Sequence, residues 1–172
     1  EGFLRGAGAA AVPIELHLRG RASPGYIEAL TQLAASTAPR LSVVTSGPEP
    51  PDRMVPLCQP HDIGLAIEEG HMQSHEFSLS NKALTYILAG LAVVLTDTTG
   101  QRELARELGE GALMYREGDH QTLADGLRRW YLEPDRLLSA RRAAWSAAVR
   151  HWHWEHPSQR GALVHTVEGV FA

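Results

Sequence analysis

A single cysteine stands among the 172 residues, so Cys58 has no internal disulfide partner. A small secreted domain stapled by disulfides is therefore excluded, and a reducing, cytoplasmic setting is expected. Cys58 reads as a packed apolar side chain, because no triad partners accompany it. Lysine and arginine number 16 against 20 aspartate and glutamate, for a formal net charge of -4, and no basic cluster occurs. Nucleic acid is thus not an expected partner, although a small anion needs only local positive potential. The longest apolar run, around Tyr86 to Leu95, is interrupted by Gly90 and falls far short of the about 20 residues of a membrane span. Neither a span nor a signal peptide is expected. No GxGxxG or Walker-type glycine loop is present, which leaves a dehydrogenase or an ATPase without support.

A metal reading has little support either. His151, His153 and His156 do not follow the i, i+4 pattern of helical ligands. Glu68, Glu69, His71 and His75 form a possible carboxylate and imidazole cluster, but they fall in a loop. No metal site is expected.

The informative segment is Ser78 to Thr99, SLSNKALTYILAGLAVVLTDTT. Ala83, Leu84, Ile87 and Leu88 recur at helical spacing, Ser80 has the chemistry of an N-cap, and Gly90 stands where a helix-stopping glycine belongs. Leu91 to Leu95 follows as a strand too apolar for a solvated face, so both faces should be covered. Around this unit the pattern predicts strands at Pro13 to Leu18, Leu41 to Thr45, Ile63 to Ile67 and Ala112 to Tyr115. Helices are predicted at Pro24 to Ala35, Pro51 to Cys58 and Arg102 to Leu108, from the Asp119 cap to Tyr131, and from Pro134 to the tryptophans, with Ser158 capping a last one. Strands alternating with helices imply right-handed crossovers and an α/β fold: a Rossmann-like, doubly wound parallel sheet with helices on both faces. Glu1 to Ala11, rich in Gly and Ala, reads as a linker, a remnant or the tail of a preceding helix. The expected division is residues 1–12 as that linker or remnant and 13–172 as one domain.

In such sheets ligands bind beyond the carboxyl ends of the strands, which selects Arg19 to Arg21, Glu68 to Lys82 and Asp97 to Gln101. Ser80, Asn81 and Lys82 open a helix, where unpaired N–H groups, the macrodipole and an ammonium suit a diphosphate. Thr98, Thr99, Gly100 and Gln101 form a polar turn entering the next helix and could bind sugar hydroxyls or phosphate. Thr98 or Thr99 would serve equally well as a plain N-cap.

Asn81-Lys82, Tyr86, Ala89 to Val94 and Asp97 to Glu103 together resemble the nucleotide-sugar-binding half of retaining glycosyltransferases with the GT-B fold, of the large group 1 type. Leu16 to Gly20 is similar to that family's first strand and glycine turn, His61 to Ala66 to a later strand, and Trp154-Glu155 to the approach to its last helix. The resemblance implies that residues 13–172 are a C-terminal donor-binding domain lacking its N-terminal acceptor domain. It further implies a nucleotide-diphosphate sugar as substrate, UDP-sugars first with GDP or ADP open, an unspecified acceptor, and no cofactor or metal. By the resemblance, Gly20 belongs to the donor turn, Arg21 and Lys82 neutralise the departing diphosphate, and the base lies near Ser46 to Pro48 and Met54 to Leu57. Two glutamates eight positions apart are usual in the family. Here the ribose position falls on Thr85 and the sugar position on Phe77, with Glu76 beside it as the substitute carboxylate. The alternatives are a nucleotide-sugar epimerase domain and a noncatalytic nucleotide-binding or regulatory module.

Overall fold

The computed structural model describes residues 1–68, 76–153 and 157–171. Its strands are β1 (Ile14–Arg19), β2 (Leu41–Ser46), β3 (Ile63–Ala66), β4 (Ala92–Thr96) and β5 (Ala112–Tyr115). The helices are α1 (Gly2–Ala10), α2 (Tyr26–Thr37), α3 (Met54–Cys58), α4 (Asn81–Leu88), α5 (Thr99–Leu108), α6 (His120–Leu132), α7 (Pro134–His151) and α8 (Pro157–Phe171). Every described strand pair is parallel, in two hydrogen-bonded sheets: β1 with β2, and β4 between β3 and β5. The ring centroids of His17 in β1 and His61 just before β3 lie 4.6 Å apart, a contact between residues of the two sheets' strands and approaches.

β4 is buried along its whole length, and its alternation divides the core. Ala92 and Val94 pack with Leu123, Leu127 and Trp130 of α6 on one face. Val93 and Leu95 pack with Ile87, Leu104, Leu108 and the alanine stripe Ala144, Ala147 and Ala148 on the other. A strand with helices on both faces has no solvated side, which is why its sequence is continuously apolar.

The helix that precedes β4 ends as its sequence dictates. Gly90 takes φ 77°, and the N–H groups of Gly90 and Leu91 donate to the carbonyls of Ile87 and Tyr86. This Schellman arrangement satisfies two carbonyls that the helix end leaves over, and it delivers the chain directly into β4.

Two boundaries depart from the sequence reading. α5 begins at Thr99, three residues before the expected Arg102, so Gly100 and Gln101 lie in its first turn. α8 begins at Pro157, which places Ser158 inside that helix and not at its cap.

The Gly/Ala-rich start is helical and integral to the core. Leu4, Ala7 and Ala10 of α1 are buried, and α1 packs chiefly on α6. Its small residues permit close contact: a Cβ on Gly6 would lie 2.5 Å from Leu123, and one on Gly8 would lie 2.0 Å from the Thr37 carbonyl oxygen. The Arg128 guanidinium donates to the carbonyls of Ala10 (3.1 Å) and Ala9 (2.6 Å), supplying partners for the helix C-terminus.

Candidate functional site

The site is built where β3 and β4 end. Thr96, the last residue of β4, is buried, and its hydroxyl both accepts from the Glu68 N–H and donates to the Glu68 carbonyl, each at 2.9 Å. One side chain thereby fixes the chain leaving β3. The Glu68 carboxylate, 11 % exposed, meets the Lys82 ammonium at 3.2 Å. Lys82 lies in the first turn of α4, and its N–H donates to the Ser80 hydroxyl at 3.3 Å, so Ser80 is the N-cap. Asn81 is exposed at the helix start.

A second tie joins the segment before α4 to α5. The Glu76 carboxylate accepts from the Thr99 N–H (3.1 Å) and the Thr99 hydroxyl (2.5 Å). Those bonds hold the Glu76 carboxyl below its ordinary pKa. They also revise the expected capping: Thr98 is the N-cap residue of α5 but makes no side-chain cap bond, and a carboxylate 23 positions away satisfies the helix start. Gly100 allows the same approach. A Cβ there would sit 2.4 Å from the Ser78 carbonyl oxygen, a backbone atom that cannot rotate aside.

Asp97, between β4 and α5, accepts from Arg102 at 2.7 Å and pairs with Arg116 at 3.5 Å. The hydrogen bond from Arg102 leads the causes that hold the Asp97 carboxyl below its ordinary pKa. Thr98 and Gln101 face inward. Gln101 is fully buried, and among the described residues its amide nitrogen, its amide oxygen and the Thr98 hydroxyl have no hydrogen-bond partner. Such atoms are costly in a protein interior.

Gly20 and Arg21 belong to a different depression. A groove of about 580 Å³ beyond the ends of β1 and β2 is lined by Arg19, Gly20, Arg21, Tyr26, Ser46 and Gly47 among others. Gly20 adopts φ 143°, a conformation open mainly to glycine, and nothing lies within 4 Å of where its Cβ would be. Arg21 is exposed there, and Arg19 donates to the Gly47 carbonyl at 3.4 Å. Lys82, Glu76 and Thr99 are not among the residues lining this groove.

The structure therefore brings Glu76 together with Thr99, and Gly100 against the segment before α4, while Gly20 and Arg21 share the second groove. Thr85 is half-buried in α4 and donates its hydroxyl to the Asn81 carbonyl at 3.0 Å, within its own helix. The Glu68–Lys82 pair was not foreseen as such, because Glu68 stood out only as part of a loop cluster. A polar Thr96 closing an apolar strand was the available signal. Glu69, His71 and His75, and likewise Trp154, Glu155 and His156, lie outside the described residues. Among the described residues, no group of His, Cys, Asp and Glu is placed to hold a metal ion, and no helix is long and apolar enough to cross a membrane. Cys58 is half-buried, and burial pushes its thiol pKa up.

No family model and no curated protein sequence matches the chain. Solved structures do. Sucrose-phosphate synthase from Thermosynechococcus elongatus aligns over 98 % of this chain and 43 % of its own, at TM-score 0.68 and 17 % identity. WaaG, a glycosyltransferase involved in lipopolysaccharide biosynthesis, aligns over 84 % of this chain and 38 % of its own, at TM-score 0.60 and 17 % identity. The chain thus spans about two-fifths of the length of these proteins. The likeness shows the fold: a Rossmann-like α/β domain matching one half of a GT-B glycosyltransferase.

Proposed function

We propose that this chain is the C-terminal, donor-binding half of a retaining glycosyltransferase that takes a sugar from a nucleotide diphosphate, with UDP-sugars the first candidates. The observation that carries this reading is the convergence, at one sheet edge of a fold shared with glycosyltransferases, of a capped helix start bearing Lys82 with the loop tied by Glu76 to Thr99. Retaining transfer places negative charge on the departing diphosphate, so the site needs fixed positive partners. In this reading Lys82 and the start of α4 take the diphosphate, Arg21 approaches from the β1 groove, and Glu76 and Thr99 shape the sugar side. The donor is a substrate, no cofactor is required, and the acceptor is chosen by an N-terminal domain. A lone, half-buried thiol suits a cytoplasmic protein.

Calorimetric titration with UDP, GDP, ADP and their glucose conjugates tests this. One nucleotide is expected to bind, and Lys82→Ala to weaken it by about tenfold, the usual scale of one charge-assisted contact. Failure of every nucleotide to bind would count against the donor site.

A second reading, a noncatalytic nucleotide-binding module, is favoured by one observation. Thr85 stands where the resemblance calls for a carboxylate, and its hydroxyl is already engaged with Asn81.

A further inference from the structure

The cation offered to an anionic ligand is already held by an anion from the protein itself. Glu68 Oε1 lies 3.2 Å from Lys82 Nζ, and the two side chains differ in exposure: 11 % for the carboxylate against 57 % for the lysine. A surface ion pair between two flexible side chains would carry little weight. This pair is different on one side. The Glu68 backbone is clamped through its N–H and its carbonyl to the Thr96 hydroxyl, and Thr96 closes a strand buried along its whole length. The carboxylate is therefore presented from a rigid sheet edge, whereas the ammonium rides on a four-carbon stem and can turn to another partner. Unmet polar demand lies nearby in the sequence, at the start of α5: the Gln101 amide and the Thr98 hydroxyl are buried without partners among the described residues.

We infer that Glu68 is a built-in competitor for Lys82, a positioning carboxylate that an incoming anionic group must displace, and that it thereby sets the affinity of this edge for phosphate-bearing ligands. The inference rests on the donor-site reading only in taking Lys82 as an anion contact, and it concerns regulation of that contact. While Glu68 holds the ammonium, a phosphate oxygen reaching Lys82 gains one charge-assisted contact but breaks another.

Inorganic pyrophosphate is the probe, titrated calorimetrically at low ionic strength into the full chain as wild type, Glu68→Gln, Glu68→Asp, Lys82→Ala and the Glu68→Gln/Lys82→Ala double variant. Glu68→Gln is expected to bind pyrophosphate about five- to tenfold tighter than wild type, the effect of freeing one partly buried charge partner. Glu68→Asp, which keeps the charge, should stay near wild type. The gain should vanish in the Lys82→Ala background. Thermal melts of the same proteins check that each is folded, and Thr96 should preserve the local backbone in all of them. The inference is overturned if Glu68→Gln binds no better than wild type, if its gain survives without Lys82, or if no variant binds pyrophosphate at all. Parallel titration with UDP, GDP and ADP separates the two readings. Should pyrophosphate behave as expected while no nucleotide binds more tightly than pyrophosphate, the role of Glu68 stands and the nucleotide-donor reading falls.

Discussion

Glu76 accepts two hydrogen bonds from one residue, the N–H and the hydroxyl of Thr99, and so ties the segment before α4 to the first turn of α5. The carboxylate does for α5 what a capping side chain normally does from within the helix, and it adds a negative charge at the positive end of the macrodipole. Glu76→Ala is expected to lower the melting temperature at neutral pH, and Glu76→Gln, which keeps an acceptor, to lower it less. Because the folded carboxyl titrates below its ordinary value of 4.5, its contribution is present above that pH and is lost as pH falls through the folded value. The gap between wild type and Glu76→Gln in thermal melts should therefore close under acid conditions. A gap that stays constant with pH would remove the carboxylate from the account.

Gln101 carries two buried amide atoms without partners among the described residues. An unpaired buried amide is destabilising, and an apolar side chain of similar length removes the deficit. Gln101→Met should raise stability by about 1–2 kcal/mol, read from the denaturant midpoint at unchanged slope. A loss of stability would mean that the amide has partners in solution, water included.

The first helix offers a test of what the Gly/Ala-rich segment does. Leu4 is 2 % exposed and packs with Leu16 and Ala34. Leu4→Ala should cost about 3 kcal/mol, the scale of a buried leucine truncation elsewhere. A linker would tolerate the change without measurable effect, so chemical denaturation distinguishes the two.

Thr85 provides the test that bears on nucleotide binding directly. If it occupies the ribose position, Thr85→Glu should tighten nucleotide binding by about tenfold, since a carboxylate accepts hydroxyl hydrogen bonds more strongly than a threonine side chain. Unchanged affinity in calorimetry would count against that placement and against the family alignment around it.

Local chemistry is legible in the sequence itself. The Ser80 cap, the Gly90 stop and the covered strand after it follow from side-chain size, backbone freedom and apolar periodicity, all properties of neighbouring residues, and the structure places them as read. The parallel α/β architecture followed from their alternation in the same way. Relationships between distant residues were decided only in three dimensions. No spacing rule links Glu76 to Thr99, Glu68 to Lys82, or Arg128 to the end of α1, since each pair meets through the way strands and helices stack. The composition of Glu1 to Ala11 left linker and helix both open for the same physical reason: glycine and alanine suit a loose linker, but they also let two helices approach closely. That choice depends on whether Leu123 and Thr37 are waiting at the other side. Beyond its first eleven residues, the sequence by itself indicated which segments become strands and helices. Tertiary packing settled which charges are already spoken for at the sheet edge, because burial and pairing are properties of the assembled fold.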